Sequence, residues 1–441
     1  MKNLFWSISL LLSFSALSQD ELTVVSVGEA GSAAEKIAFP KSFSSGKLSS
    51  AQKKMADQVV KLFVSDFSFY KKSFETDQSA RSDTYSRPRY SYWSSKGVKY
   101  LVQTHVKSAG KDIRISVLLF DVSKNELILE ASKAVKKSLL RKKGHELTDL
   151  IYKKITGADS IFKTRIVFVS DKSGPRRDVE KELYIMDFDG ENKTRLTRHK
   201  ATVLSPAFSQ DGKRILYSLI KFRKGRKNIN LRMLDLRTGK DRIISSRRGI
   251  NSGAVFMPGE KEILLTLSYE GNAEIYSLNL VTGKLRKVTK HFSDDVDPSI
   301  SKDGTVMTFL SGRPGKAMIY TMDPRGREKN VKRISYVGKF NATPRFSPDG
   351  SEIVFASWVD NRFDLFRINV EGTGLVRLTK DFGSNEDPSY SNDGQFIAFN
   401  SLRVISRKKA SQHIYIMDRD GEIIKDITPK FRNCLSPRWS R

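Results

Sequence analysis

In the second half of the chain, short apolar runs alternate with polar turns at a regular spacing. Each run follows a Ser-x-Asp-Gly segment or a related one, and the runs begin near residues 166, 215, 263, 306, 353 and 397. Anchor positions before them, 206, 253, 298, 344 and 388, are 44 to 47 residues apart, with Gly253 in the place of the usual proline. Repeats of this length with four short strands each are typical of propeller blades. We therefore predict a six-bladed β-propeller over residues 161–441.

The two ends of this repeat region complement each other. The first apolar run, from Arg165 to Ser170, has no Pro-x-Phe-Ser strand before it, whereas the chain ends on such a strand, Ser436-Pro437-Arg438-Trp439-Ser440. We predict that this last segment is the innermost strand of the first blade. Pairing of the two ends would close the ring and leave no open sheet edge.

Residues 19–160 lack the repeat and are predicted to form a small α/β domain. Three strands are expected at 98–106, 113–121 and 126–135, and residues 77–92 resemble a loop. Ser49 or Ser50 can cap a helix. A second helix is expected from Leu140 to Thr156, followed by Gly157. The apolar positions predicted to face the core are Met55, Val59, Leu62 and Phe63 in the first helix and Leu147, Leu150, Ile151 and Ile155 in the second.

The first 18 residues have the pattern of a secretory signal. Lys2 precedes an apolar stretch, and Ala16 and Ser18 place small residues at the positions before a cut at Gln19. No later segment has an apolar run long enough to span a membrane. The sequence therefore predicts export with cleavage of residues 1–18, and no membrane-spanning helix in the mature chain.

Charge and motif content limit the possible functions. Lys and Arg number 78 against 49 Asp and Glu, so the net charge is +29, which is consistent either with anionic partners or with a plain solvated basic surface. The single cysteine, Cys434, excludes an internal disulfide and is interpreted as a small apolar filler. The sequence contains neither a nucleophile elbow, a zinc-protease motif, a phosphate-binding glycine loop nor a Cys-x-x-Cys pair. We expect no catalytic residue, no metal and no cofactor.

Several motifs together resemble the TolB family of the bacterial Tol–Pal system. The segment from Gly144-His145 through Tyr152-Lys153-Lys154-Ile155-Thr156-Gly157 to Phe162-Lys163-Thr164-Arg165-Ile166 is similar to that family's domain junction, and the terminal Ser-Pro-Arg-Trp-Ser is similar as well. The resemblance implies a monomeric, non-enzymatic adaptor in the periplasm that maintains outer-membrane integrity and invagination during cell division. The implied partners are the lipoprotein Pal, at the propeller mouth, and TolA, at a flexible N-terminal arm. Other outer-membrane or peptidoglycan-associated proteins are further candidates, and nucleic acid is not an expected partner.

The residues themselves also suggest where partners bind. Loops that run from the outermost strand of one blade to the innermost strand of the next must converge on one opening, and here they mix charged and aromatic residues, as protein interfaces do. Gly249, Ser252 and Val296 match Pal-contact positions of the family. The full candidate Pal site is Gly249, Asn251, Ser252, Asp295, Val296, Asp297, Phe340, Asn341, Asn385 and Asp387.

Four points remain open from the sequence. Asp297 and Asp387 each precede a proline, so they contact a partner or stabilise their own turn. His199 and His291 lie in equivalent loops, which allows a shared role at the mouth. The alternating arm either adds a strand to TolA or is an ordinary edge strand; its residues are Glu21, Leu22, Thr23, Val24, Val25, Ser26 and Val27. Two other functions also compete with the adaptor: a module for anionic envelope polymers, and an exported propeller hydrolase or lyase.

Overall fold

The computed structural model describes residues 33–78, 84–174, 180–223, 226–406 and 409–440, with the backbone alone at positions 223, 226 and 409. The predicted signal segment and the arm at Glu21–Val27 lie outside the described residues. Within the described ranges, no helix combines the length and apolar composition needed to cross a membrane.

The first part of the chain forms one mixed sheet with three helices. Its strands pair in the order β3-β1-β4-β5-β6, with β2 on β4. The elements are β1 (Glu35–Ala38), β2 (Phe43–Ser45), α1 (Ser50–Phe67), β3 (Phe74–Asp77), α2 (Tyr90–Ser95), β4 (Val98–Ala109), β5 (Asp112–Asp121), β6 (Glu126–Val135) and α3 (Leu140–Thr156), with 3-10 turns at Ser68–Tyr70 and Lys137–Leu139.

Local sequence explains both long helices. Ser49 caps α1: its Oγ accepts from the Gln52 N–H, and the Gln52 side chain accepts from the Ser49 N–H, which is a reciprocal capping box. Helix α3 ends at Gly157, whose φ of 75° suits glycine. Both helices were predicted, but the assignment of Leu150 to the core is wrong, since 38% of it is exposed.

The loop predicted over residues 77–92 is only partly correct. Helix α2 begins within it at Tyr90 because Trp93, which is 1% exposed, supplies a large apolar anchor beneath the sheet. The three predicted strands are confirmed as β4, β5 and β6. Strands β1 to β3 were not predicted because each has only three or four residues.

The rest of the chain forms six four-stranded antiparallel sheets, which confirms the six-bladed propeller. Blade 1 contains β7 (Arg165–Ser170), β8 (Glu182–Asp187) and β9 (Thr194–Arg195) together with the last strand, β30 (Cys434–Trp439). Blades 2 to 6 follow in chain order: β10 (Thr202–Phe208), β11 (Arg214–Arg223), β12 (Arg226–Asp235), β13 (Asp241–Ser245); β14 (Asn251–Phe256), β15 (Glu262–Leu267), β16 (Glu274–Asn279), β17 (Leu285–Lys287); β18 (Asp295–Ile300), β19 (Met307–Ser311), β20 (Met318–Asp323), β21 (Lys329–Arg333); β22 (Asn341–Phe346), β23 (Glu352–Val359), β24 (Arg362–Asn369), β25 (Val376–Arg377); β26 (Ser384–Tyr390), β27 (Phe396–Ser406), β28 (Lys409–Asp418) and β29 (Ile423–Asp426).

The C-terminal strand closes the ring as the sequence predicts. Strand β30 pairs with β7, with Leu435 opposite Val169 and Trp439 opposite Ile166. The buried Trp439 indole donates from Nε1 to the Thr164 hydroxyl at 2.7 Å. Cys434 is fully buried in this strand, and burial raises the pKa of its thiol to about 12, as expected of an inert filler.

Every innermost strand has a bulge at the same position. One residue in each adopts φ between 48° and 58°, and the strand register shifts there. The six bulge residues are Ser205, Gly253, Asp297, Thr343, Asp387 and Ser436. In five blades the next residue is proline. Gly253 therefore corresponds to the residue before proline, and Ala254 takes the proline position, so the assignment of Gly253 to the proline position is wrong.

Strand direction separates two faces of the propeller. Because successive strands are antiparallel, the first and third turns of each blade lie on one face, and the middle hairpins lie on the other face with the blade-crossing loops. The N-terminal domain packs on the face that carries the first and third turns, which we call the domain face. There Tyr70 contacts Asp393, and Arg141 pairs with Asp189. Arg141, which stands in a run of basic residues with Lys142 and Lys143, therefore contributes to this interface. The opposite side is the loop face.

Candidate functional site on the loop face

Six blade-crossing loops surround the opening of the propeller channel on the loop face. Each leads from the outer edge of one blade to the innermost strand of the next, so its end is fixed close to the propeller axis. The loops span 199–205, 247–252, 291–297, 338–343, 381–387 and 431–436. The structure thus brings the candidate Pal residues, predicted from separate blades, to one rim.

Three of these candidates are buried asparagines that hold the loops in shape. Asn251, Asn341 and Asn385 stand at equivalent positions, two residues before the bulge, and each is at most 2% exposed. The Asn251 amide donates to the backbone carbonyls of Ile229 and Arg247, and its Oδ1 accepts from the Ser245 hydroxyl. An asparagine side chain offers two N–H donors and an oxygen acceptor. It can therefore bond to the backbone groups of a turn that lacks regular strand-to-strand hydrogen bonds.

Asp295 occupies the same position in blade 4 and uses a charge instead. It is fully buried, and its Oδ2 lies 2.8 Å from Arg313 Nη2, while Arg313 Nη1 lies 2.9 Å from Glu328 Oε2. Burial raises the pKa of Asp295, and the Arg313 guanidinium opposes that shift. Asn251, Asp295, Asn341 and Asn385 therefore position the loops and do not present their own side chains to a partner.

The accessible part of the rim consists of aromatic residues and small residues. Phe340 is 39% exposed and stacks on Trp358, with ring centroids 5.6 Å apart and planes 11° apart, while Phe363 packs edge-on against both rings. Gly249 is exposed, and Ser252 and Val296 are half-buried. A rigid aromatic platform beside small residues is a suitable surface for a protein partner.

Asp297 and Asp387 link neighbouring blades. The Arg345 guanidinium of the next blade lies 2.9 Å from the Asp297 carboxylate, and the Ser436 hydroxyl of the next blade donates to Asp387 at 2.8 Å. The sequence left open whether these aspartates stabilise their own turns. The contacts instead run between blades, so the two aspartates stabilise the ring around the channel.

Glu386, next to this ring, is a rim carboxyl group with a raised pKa. Burial and the neighbouring Asp387 carboxylate raise its pKa to about 7. The group therefore changes charge near neutral pH, which makes the electrostatics of the rim sensitive to pH.

The two histidines of equivalent loops have different environments. His199 Nε2 lies 2.8 Å from the Tyr217 hydroxyl, next to Asp241. His291 accepts from the Ser293 N–H and stacks on the exposed Phe292. Within the described contacts the two rings have no partner in common, so the structure does not bring them together as one site.

One group with metal-ligand chemistry occurs in the described part of the chain, and it lies on the domain face. It consists of His145, Asp187 and Asp189. His145 Nδ1 lies 2.9 Å from the Asp66 carboxylate, Asp189 is paired with Arg141, and Asp187 accepts from Asn192. These polar contacts already engage all three side chains, so we assign no metal to them.

Sequence reasoning missed a hydroxyl position that repeats in every blade. A buried Ser or Thr stands at the end of each outermost strand or just after it, and in five blades its oxygen accepts a backbone N–H of the third strand at 2.8 or 2.9 Å. The residues are Thr197, Ser245, Thr289, Ser335, Thr379 and Thr428. The signal was present as recurring Leu-Thr and Val-Thr pairs at the strand ends.

Comparison with known protein families agrees with this architecture. A model described as the TolB amino-terminal domain matches residues 23–128, and one described as the TolB beta propeller domain matches residues 152–356 and 329–441. The chain belongs to the TolB family. The matched ranges cover both parts of the fold described above.

Three TolB relatives show how far the similarity extends. A Tol-Pal system protein TolB from Francisella tularensis subsp. mediasiatica is 29% identical over 316 residues, 70% of this chain and 71% of the relative. A Protein TolB homolog from Chlorobium luteolum is 31% identical over 233 residues (52% and 50%), and a Tol-Pal system protein TolB from Desulfosudis oleivorans is 33% identical over 198 residues (45% and 43%). The alignments with the last two span half or less of those relatives.

Solved structures show the same fold. The crystal structure of TolB from Acinetobacter baumannii superposes with a TM-score of 0.75 at 24% identity and covers 93% of this chain and 97% of that one. A chain of the nidogen/laminin complex matches with a TM-score of 0.51 at 10% identity, covering 63% of this chain and 98% of that one. The propeller alone therefore also resembles proteins of other families, whereas the match to the Acinetobacter TolB covers both domains.

Proposed function

We propose that this TolB-family protein is a non-enzymatic periplasmic component of the Tol–Pal system that binds Pal on the loop face and TolA through its N-terminal arm. The observation that carries the proposal is the rigid rim. Loops from separate blades are held by buried Asn251, Asp295, Asn341 and Asn385 around small residues and the Phe340 platform. Family membership, with relatives named as Tol-Pal system proteins, and the predicted signal at residues 1–18 support the system and the compartment.

Charged replacements on the rim test the Pal site directly. Ser252→Glu and Val296→Glu place a bulky charge on half-buried rim positions. We expect each variant to weaken binding of the periplasmic domain of Pal, measured by titration calorimetry, by about tenfold or more, because hot-spot positions tolerate little steric or electrostatic mismatch. The melting temperature of Ser252→Glu should stay close to that of the unmodified chain. Val296 packs against a hydrophobic cluster, so Val296→Glu is compared only at temperatures where circular dichroism shows it folded.

Matched controls lie on the domain face. Lys213→Glu and Ser351→Glu also introduce a carboxylate at exposed turn positions, but on the side away from the rim. Both controls should bind Pal with unchanged affinity. If only the controls weaken binding, Pal uses the other face and the proposed site is wrong.

The TolA proposal rests on the alternating sequence Glu21–Val27 and on family membership. A chain that begins at Ala33 lacks the arm and keeps every strand of the described sheets. We expect it to lose TolA binding and to bind Pal as the mature chain does, because main-chain pairing by the arm provides the TolA contact. Undiminished TolA binding by this shortened chain contradicts the arm hypothesis.

The net charge of +29 favours a second candidate, a module that binds anionic envelope polymers. Affinity for such a polymer falls steeply as salt is added. Lys213→Glu lowers the net charge by more than Ser252→Glu or Val296→Glu does, so polymer binding driven by charge should respond to it at least as strongly as to the rim variants. Pal binding at the rim should respond to the rim variants alone, so the same variants distinguish the two functions.

A further inference from the structure

On the loop face, the paired second and third strands of blades 2 and 6 continue farther than those of blades 3, 4 and 5. Matching the bulges aligns Leu219 of β11 and Ser401 of β27 with Leu267, the last residue of β15. Strand β11 continues four residues beyond that point, to Arg223, and β27 continues five, to Ser406. At about 3.3 Å per residue, the two hairpins extend roughly 13 and 16 Å beyond the equivalent end in blade 3.

The two extensions stand on either side of blade 1. Strand β30 of that blade packs against β10 of blade 2 and against β26 of blade 6. Both hairpins join the second and third strands of their blades, so both project from the loop face. They therefore form two neighbouring protrusions of similar height on one side of the rim.

Both extensions expose apolar side chains. Phe222 is 75% exposed in the first, and Val404 and Ile405 are 78% and 59% exposed in the second. The register of β27 and β28 shifts between Val404 and Ser406, so Ile405 lies in an irregular part of the ribbon, and solvent reaches both apolar side chains. Large aliphatic and aromatic side chains at the ends of projecting ribbons contribute nothing to the core of this chain.

The same segments are strongly basic. Residues 220–228 contain Lys221, Arg223, Lys224, Arg226 and Lys227, residues 402–410 contain Arg403, Arg407, Lys408 and Lys409, and neither segment contains Asp or Glu. The side chains of Lys221 and Lys227 are exposed, and Arg403 lies over the Phe382 ring at the rim, 4.5 Å from its centroid. Among the described side chains, the exposed lysines at 221 and 227 therefore share the first ribbon with Phe222, and Arg403 precedes Val404 in the second.

We infer that the two hairpins together form a docking surface for an anionic phospholipid bilayer, with Phe222, Val404 and Ile405 inserted among the headgroups and the exposed Lys221 and Lys227 against the phosphates. Apolar tips flanked by cations are what an anionic membrane interface binds. Two convex protrusions of similar height suit a flat surface, whereas a protein partner of such tips would need two separate grooves. This inference does not depend on Pal or TolA.

Vesicle binding without any protein partner tests the inference. The mature chain should co-sediment with vesicles containing about 30% phosphatidylglycerol in phosphatidylcholine at about 0.15 M salt. Binding to vesicles of pure phosphatidylcholine should be at least about tenfold weaker than binding to the anionic vesicles. The triple variant Phe222→Ser, Val404→Ser, Ile405→Ser keeps every basic residue and should bind the anionic vesicles at least about tenfold more weakly.

Val281 provides the matched control. It is 79% exposed in the β16–β17 turn on the domain face, so Val281→Ser removes an equally exposed apolar side chain elsewhere and should bind as the unmodified chain does. Insertion itself is read from Phe222→Trp, whose fluorescence should be quenched by phosphatidylglycerol with brominated acyl chains. Val281→Trp should show no such quenching.

Three results overturn the inference. One is failure of the unmodified chain to bind the anionic vesicles. Another is vesicle binding by the triple variant equal to that of the unmodified chain. The third combines two observations: Phe222→Trp binds the vesicles but its fluorescence is not quenched, and the unmodified chain binds soluble polyglutamate as tightly as it binds the anionic vesicles. The hairpins would then recognise acidic polymers by charge alone.

Discussion

The Tyr70 hydroxyl lies 2.7 Å from Oδ2 of Asp393, although the two residues are 323 positions apart. The hydroxyl donates to the aspartate and accepts from the Ile161 N–H at 3.0 Å. Burial raises the pKa of Tyr70 well above its usual value, so the hydroxyl remains a donor at every physiological pH. This bond joins the N-terminal domain to blade 6 at the domain face.

Removal of that hydroxyl should destabilise the protein. Tyr70→Phe leaves Asp393 largely buried without one of its donors, and we expect the free energy of unfolding to fall by about 1–3 kcal/mol in urea denaturation. The control Tyr336→Phe removes a hydroxyl from a residue that is 71% exposed and should change stability little. Equal stability of the two variants contradicts a structural role for the Tyr70 bond.

Ring closure predicts a large effect at Trp439. Trp439→Ala removes a buried aromatic between β30 and the domain junction and should cost about 3–5 kcal/mol. Trp439→Phe retains most of the ring but loses the bond to Thr164, so it should cost about 1 kcal/mol. Thermal unfolding should rank the variants in that order. Phe292→Ala, at a position that is 83% exposed, should melt close to the unmodified chain; a similar loss there would argue against specific closure.

Glu386 predicts a pH-dependent stability difference. Its pKa is raised from 4.5 to about 7 in the folded protein, so the folded state disfavours the carboxylate, and stability is lost as pH rises between those two values. Glu386→Gln should therefore match the unmodified chain near about pH 4 and exceed its free energy of unfolding by about 2 kcal/mol near about pH 8. Glu371→Gln, at an exposed carboxylate, should show no such divergence. A constant difference across the pH range would contradict the role of burial.

The hydrogen bonds of Asn251 predict that the shape of the rim loops depends on the buried amide side chains. Asn251→Ala leaves the carbonyls of Ile229 and Arg247 without their donor, and we expect a loss of about 2 kcal/mol in unfolding free energy. Hydrogen exchange should show faster opening of the 247–252 loop. Asn228→Ala removes an exposed amide on the β12 hairpin and serves as the control. Unchanged exchange in the loop would show that its shape does not rest on this side chain.

The propeller was predictable because short sequence patterns recur in each repeat. Ser-x-Asp-Gly turns and apolar runs recur in each blade, and the missing first strand of blade 1 identified residues 436–440 as its complement. The misplacement of Gly253 has a specific cause: blade 3 lacks the proline, and a one-residue offset is visible only in the backbone, where Gly253 shares its positive φ with Asp297.

The candidate site was harder to predict because loop residues of one type have different roles. Asn341 and Phe340 are neighbours in sequence, yet the first is buried under the loop and the second is exposed at the rim. Their difference follows from tertiary contacts that no periodicity records. Arg141 is a similar case, since its partner Asp189 lies on another domain. The extended hairpins were visible as basic segments, but their height depends on the alignment of the bulges.

The closure of blade 1 also fixes the order in which the protein can mature. Strands β7 to β9 emerge first among the propeller strands, but their inner neighbour, β30, emerges last, and Cys434 and Ser170 are 264 residues apart. Until β30 arrives, the inner edge of β7 has no partner, and such an edge can pair with the strands of other chains. The interval between synthesis of β7 and of β30 is therefore the period in which this chain most needs protection from aggregation.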